Sequence, residues 1–252
     1  TDGISIFDFV LDALVPDKGK VLTATKHFFL TMLESYGIKT HLVAAGAAID
    51  EYLPAVYRNR PELQSRALIV QELRMHLNEF IARGCLTGSG LKDYLKTGMV
   101  CGVALPPGLQ DGDALPYVLD TPTTKSETGH DKPLSADFIR QKYPKETRLL
   151  IQAFQIIKSF AATKGILFAD TKLEMGLNAM GDVVVGDEVG TPDSSRFWEL
   201  SEWQKGRCLK ERKAPAPYDK QFVRRVGIDL GINTLDPENP DDVAKVHAMQ
   251  IP

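Results

Sequence analysis

Along residues 21–37, VLTATKHFFLTMLESYG, apolar side chains return at helical spacing: Leu22, Phe29, Met32, Leu33 and Tyr36. That periodicity predicts a helix, and Gly37 is suited to cap its C-terminus. A clearer stripe runs through ETRLLIQAFQIIKSFAATKG, with apolar residues at 149, 150, 153, 154, 157, 160 and 161, and predicts an amphipathic helix. Elsewhere the period drops to two. The chain opens in a strand at GISIFDF, and THLVAAG reads as another. RALIVQEL and RMHLNEFIARG (66–84) form a β-rich pair, the second alternating Met75, Leu77, Glu79 and Ile81. ILFADTKLEMG and DVVVGDEV follow the long helix as a hairpin. Residues 102–135, with PPG, DGD and TPTTKSETGHDKPLS, predict a long polar loop, a kind of segment that often carries function. Strands first, then strands interleaved with helices, make the class α+β.

Composition narrows the function classes. The chain has 252 residues, 43% hydrophobic and 25% charged, and a formal net charge of −3. That is a soluble globular composition with no electrostatic case for a nucleic-acid or membrane surface. Cys85, Cys101 and Cys208 lie far apart, with no CxxC and no Cys/His cluster at metal spacing, as expected for a reduced, cytoplasmic protein without structural zinc. No apolar run has the length of a membrane span, and no signal-peptide core opens the sequence.

Candidate chemistry concentrates in a few stretches. On a strand, Asp170, Lys172 and Glu174 share one face, while Leu167, Ala169, Leu173 and Met175 take the other, the core face. A symmetric turn at LNAM, between Gly176 and Gly181, would set Asp187 opposite Asp170 on the charged face and point Glu188 away. Two readings stand here: a solvated outer face, or a divalent-metal site with Lys172 as a phosphate partner. In ARGCLTGSGLKDY (82–94), Arg83 runs into glycines and then a predicted helix. Backbone N–H groups, a helix N-terminus and an arginine together suit a monophosphate. The alternative is a plain glycine-rich strand-to-helix turn. The stretch is neither a P-loop, nor a dinucleotide GxGxxG, nor a GxSxG elbow. TPTTKSETGHD (121–131) offers Lys125, Glu127, His130 and Asp131 as a solvated loop or a lid. His27, His41, His76 and His247 read as structural or surface residues. In PDSSRFW, Pro192–Ser195 predict a turn into a helix N-cap, with Phe197 and Trp198 anchoring it and Arg196 free to reach a phosphate. Together these residues point to phosphoryl chemistry.

RGCLTGSGLKDY, TPTTKSETGHD, ADTKLEMG and GDEVGTPDSSRFW, in this order and spacing, resemble the phosphoribosylaminoimidazole-succinocarboxamide synthase (SAICAR synthetase) family of purine biosynthesis. TDGISIFD and PAPYDKQFVR fit as well. The resemblance implies a SAICAR synthase-like fold, loosely similar to ATP-grasp and kinase folds. It divides the chain into an N-terminal β-rich subdomain (1–75) and a C-terminal α+β subdomain (76–252), with ATP in the cleft between them. It implies ATP-dependent ligation of L-aspartate to the carboxylate of CAIR (phosphoribosyl-carboxyaminoimidazole), with Mg²⁺ as cofactor. By the same resemblance, Glu174 and Asp187 match the Mg²⁺-binding acids, with Lys172 beside them. Arg83, Gly88, Ser89, Ser195 and Arg196 match the CAIR cradle. Lys125, His130 and Asp131 match a substrate and nucleotide loop, and Asp8 and Ser5 an early motif near the nucleotide or substrate. ATP, CAIR and L-aspartate are the partners so implied, with no nucleic acid or membrane, and a homodimer is left open. The family's glycine- and lysine-rich hairpin, of type RGKxKxVY, has no match ahead of Thr1, so the sequence is expected to enter its domain partway. A small-molecule kinase of related fold and a non-catalytic nucleotide-binding relative are the alternatives.

Overall fold

The computed structural model describes residues 1–125 and 132–249. The N-terminal part runs β1 (Gly3–Ile6), β2 (Phe9–Leu14), α1 (Lys18–Ser35), β3 (Leu42–Ala45), α2 (Pro61–Gln64), β4 (Leu68–Val70) and β5 (Arg74–Met75). Next come β6 (Asn78–Cys85), α3 (Gly88–Thr97), β7 (Met99–Val100), β8 (Val103–Ala104), β9 (Ala114–Asp120) and β10 (Thr123–Thr124). The remainder is α4 (Ala136–Lys142), α5 (Pro144–Thr163), β11 (Ile166–Leu177), β12 (Val183–Gly186), β13 (Ser195–Glu199), α6 (Leu200–Arg207), α7 (Gln221–Asp229) and α8 (Pro240–Ala248). The α+β class expected from the pattern is the class observed.

Everything is arranged about two strands, β6 and β11, which pair antiparallel with Arg83 opposite Asp170 and Phe80 opposite Leu173. They anchor a seven-stranded sheet: β9 and β10 add to β6, and β5, β12 and β13 add to β11. One face, with Phe80, Ala82, Leu173 and Met175, packs on Phe29, Leu30 and Leu33 of α1 and Leu150, Phe154 and Ile157 of α5. Full burial of side chains such as Phe154 and Ile157 contributes roughly 1.5–3 kcal/mol each. On the other face, Cys85, Leu167, Ala169 and Trp198 close one end of the sheet, and the rest stays open as a cleft. A separate cluster joins Ile4, Ile6, Phe9 and Leu11 of the first hairpin to Ile232 and to Val246 of α8. Among the described residues no helix is long and apolar enough to cross a membrane.

Both expected helices form where the periodicity put them, but several strand expectations are corrected. The two halves of 66–84 do not pair with each other; β4 joins β3, while β5 and β6 both join β11. Nor does β6 alternate between core and solvent: Phe80 and Ala82 face the core, Glu79, Ile81 and Arg83 face a cleft in which Glu79 and Arg83 are buried, and Leu77, 71% exposed, precedes the strand. The stretch 102–135 is not one loop, since it supplies β9 and β10 to the sheet. Leu167 and Ala169 bury in a different cluster from Leu173 and Met175, because a register shift between Phe168 and Asp170 switches the faces of β11.

The hairpin register also differs. Gly176 faces Val184, not Gly181, and the ladder ends at Leu177 opposite Val183. The Asn178 side chain accepts from the N–H of Met180 at 3.0 Å and of Asp182 at 2.9 Å, closing a longer loop than the symmetric turn. Asp187 therefore does not sit opposite Asp170. It follows the end of β12 in a left-handed conformation, φ 49°, and Glu188 lines the same cleft instead of pointing away. Ser195–Glu199 is a strand on β11, not a helix N-cap; the turn before it closes through the N–H groups of Ser194 and Ser195 to Thr191 O.

Candidate functional site

A cleft of about 430 Å³ opens over the charged face of β6 and β11, walled by the loop after β12, the first residues of β13 and the start of α7. At its inner end Asp170 holds two arginines. Arg83 donates Nη1–H to Asp170 Oδ2 at 2.8 Å, and Arg196 pairs with the same oxygen from β13. Arg83 is braced further, donating Nε–H to Thr121 Oγ1 at 2.9 Å and Nη2–H to Ser89 Oγ at 3.1 Å. Burial lowers the pKa of Arg83, and Asp170 opposes that effect only in part. Gly88 has φ +59°, and a Cβ there would lie 2.7 Å from Arg196 Nη2, so both conformation and space call for glycine. Arg83, Arg196, Ser89 and the N-terminus of α3 thus converge at this end of the cleft, with Asp170 fixing both arginines, a set of donors that suits an anion.

Toward the other end, Lys172 donates Nζ–H to Glu79 Oε1 at 2.6 Å and lies 3.8 Å from Glu174 Oε1. Glu79 also accepts from Thr123 Oγ1 at 2.8 Å. Burial opposes the charge of Lys172, but Glu79, Glu174 and Asp187 outweigh it and raise the pKa. Lys125 pairs with Glu174 Oε2. Glu174 is opposite Gly186 in the ladder, which brings Asp187 next to it across the hairpin. Lys26 and His41 face Asp187 from the N-terminal part; burial lowers the pKa of Lys26, and burial with Lys26 nearby lowers that of His41 to about 4. Among the described residues no three acid, His or Cys side chains form a closed metal cage. Asp187 makes no side-chain hydrogen bond within that set. An open pair of carboxylates such as Glu174 and Asp187 suits Mg²⁺, which takes one or two carboxylates and completes its shell from water and phosphate oxygens.

Most of the residues expected from sequence come together here. Arg83, Lys172, Asp187, Ser195 and Arg196 line the cleft, with Gly88 and Ser89 in contact with its arginines and Lys125 joined through Glu174. Ser195 is buried in the wall, its Oγ 2.8 Å from Thr171 Oγ1. Asp8 lies in the β1–β2 turn and interacts electrostatically with Arg224. His130 and Asp131 fall outside the described residues. Asp170 was expected to join Lys172 and Glu174 as a third carboxylate; it serves the arginines instead.

Sequence reasoning missed Glu79, Lys220 and Arg224. Lys220 and Arg224 approach the cleft from the start of α7, and burial lowers the pKa of both. Among the described residues Arg224 Nε is buried with no hydrogen-bond partner, which leaves it donor capacity for an anion. The motif DKQFVR carried them, but only the fold brings residues 220–224 beside residue 196.

The family model for SAICAR synthetase matches residues 1–235. A phosphoribosylaminoimidazole-succinocarboxamide synthase from Saccharopolyspora erythraea is 41% identical over 255 residues, covering 96% of this chain and 80% of its own length. The SAICAR synthase from Saccharomyces cerevisiae complexed with SAICAR superposes with a TM-score of 0.77 at 32% identity, covering 98% of this chain and 83% of that one. A SAICAR synthetase in complex with ADP shares the fold, with a TM-score of 0.64 at 24% identity.

Proposed function

Because the chain belongs to the SAICAR synthetase family, the ATP-dependent ligases that join L-aspartate to the carboxylate of CAIR, we propose how its cleft divides that work. The 5′-phosphate of CAIR occupies the cradle of Arg83, Gly88, Ser89 and Arg196. The observation that carries this reading is the pair of arginines fixed by Asp170 at the α3 N-terminus. Their fork geometry is set before any ligand arrives, which spares binding the ordering of two long side chains.

The nucleotide belongs at the boundary between residues 1–75 and 76–252, where Lys26 and His41 of the first part face Asp187 of the second. Glu174 and Asp187 would hold Mg²⁺, which when bound neutralises charge on the transferring phosphoryl group. Lys172 faces the reacting phosphate. A carboxylate is a poor electrophile until one oxygen becomes a leaving group; phosphorylation of the CAIR carboxylate supplies it, and the aspartate amine then displaces phosphate. The protein's part is positioning and charge neutralisation. Lys125 is anchored on Glu174, and it reaches the phosphates when that anchor is drawn off. Lys220 and Arg224 face the cradle from α7 as further anion contacts.

The test is product formation. ADP and phosphate should appear only when CAIR, L-aspartate, ATP and Mg²⁺ are all present. Turnover with a hydroxyl acceptor in place of aspartate would instead make the protein a small-molecule kinase.

A further inference from the structure

Thr87 stands at the N-cap of α3, where a threonine ordinarily accepts a hydrogen bond from the second or third helical N–H. Here it makes no such bond. Its Oγ1 donates to Asp111 Oδ1 at 2.8 Å instead. With Gly88 left-handed at φ +59° and the hydroxyl held by Asp111, the first N–H groups of the helix, the ones beside Ser89 and the arginines, receive no cap from Thr87.

Asp111 is well held for this purpose. Its Oδ2 accepts from the N–H of Ala214 at 3.1 Å. At Gly112, φ is +78° and a Cβ would lie 3.0 Å from Ala214 Cα, so the loop can approach that segment only with glycine there. The N–H of Gly112 donates to Leu86 O at 2.8 Å, and the N–H of Leu86 donates to Asp113 O at 2.8 Å. Asp113 is buried and accepts from Arg207 Nη1 at 2.7 Å, Arg212 Nε at 2.7 Å and Arg212 Nη2 at 2.8 Å. The DGD turn is thus clamped between the strand that leads into the cradle and the segment after α6.

We propose that Asp111 is a positioning residue that keeps the N-terminus of α3 open for the substrate phosphate, by holding the Thr87 hydroxyl away from the helix N–H groups it would otherwise cap. The proposal rests on the reading of the cradle given above. A capping hydroxyl and a bound phosphate compete for the same donors, so withholding the cap leaves those donors to the ligand. Charge alone argues the other way: removing an aspartate near an anion site should tighten anion binding. The two accounts therefore differ in sign.

Initial rates with CAIR varied, at saturating ATP, Mg²⁺ and L-aspartate, decide between them. Asp111→Ala should raise the KM for CAIR about fivefold, the equivalent of one N-cap hydrogen bond, with a smaller change in kcat. Thr87→Ala alone should stay within about twofold of the parent, since no hydroxyl remains to compete. The double variant should return to the Thr87→Ala value while keeping the lower melting temperature caused by the lost Ala214 contact. That recovery of KM without recovery of stability is what a merely structural role would not give. A KM that falls or holds in Asp111→Ala, or a double variant as weak as Asp111→Ala, overturns the proposal. Arg83→Ala, run alongside, separates the layers: if it too leaves KM unchanged, the cradle reading falls and takes this inference with it.

Discussion

β11 places one carboxylate near each end of the cleft, and the two are partnered in opposite ways. Asp170 is held between Arg83 and Arg196, with Thr121 and Ser89 bracing Arg83. Glu174 meets Lys125 and Lys172, whose side chains are 45% and 36% exposed. Guanidinium groups present several donors in a planar fork, whereas an ammonium is a mobile point charge on a flexible stem. The arginine end is therefore ordered without a ligand and suits an anion of fixed shape, such as the phosphate monoester proposed to bind there. The lysine end can exchange partners, as chemistry on a transferring phosphoryl group requires. One strand offers a rigid grip and a changeable one a few residues apart.

The strongest way to break this contrast is at Asp170. Asp170→Asn leaves Arg83 buried and beside Arg196 with no counter-charge, so denaturant unfolding should show a loss of about 3–5 kcal/mol. An unchanged midpoint would mean that the arginines do not depend on Asp170, and the rigid end would lose its basis. Next in size is Glu174→Ala, expected to slow turnover on the order of 10²–10³-fold while CAIR affinity measured by calorimetry stays within about twofold of the parent. Equal loss of both would show that the two ends are not separable.

A smaller effect sharpens the contrast through pH. Asp219, near Arg196, is pushed up to about 6 by burial, against the pull of the Phe197 and Gln221 N–H groups and of Arg196. With its folded pKa above the unfolded value of 3.8, its contribution to stability is full below that value and lost as pH rises through about 6. His41, at the lysine end, is held down at about 4 by burial and Lys26. Its contribution is full above the unfolded value of 6.5 and lost as pH falls through about 4. Unfolding measured from pH 4 to 7 should show opposite changes of slope in Asp219→Asn and His41→Gln, each about 1–3 kcal/mol over the window. Slopes of the same sign would refute the assignment of these groups to unlike environments.

Local chemistry made much of this legible in the sequence. The stripe of Leu150, Phe154 and Ile157 is the buried face of α5, and Gly37 does end α1, donating its N–H to Glu34 O at 2.9 Å. RGCLTGSG carried Arg83, Gly88 and Ser89, which the fold brings together with Arg196. What could not be read was pairing across the sheet. Nothing in the local pattern says that Arg83 sits opposite Asp170, or that the Asn178 side chain lengthens the hairpin loop and moves Asp187 off the ladder. Glu79 was read as one position of an alternating strand, and its contact with Lys172 depends on β6 pairing with β11, which sets Lys172 opposite Ile81. Lys220 and Arg224 needed the return of the chain through residues 208–219.

The central claim is that the arginine end binds the 5′-phosphate of CAIR, and calorimetric titration of CAIR against its dephosphorylated nucleoside tests it most directly. The account predicts that the nucleoside binds at least about tenfold more weakly, and that Arg83→Ala costs CAIR roughly 1.5–3 kcal/mol while leaving the nucleoside unaffected. Equal binding of the two ligands to the parent protein, or equal losses for both in Arg83→Ala, would contradict it.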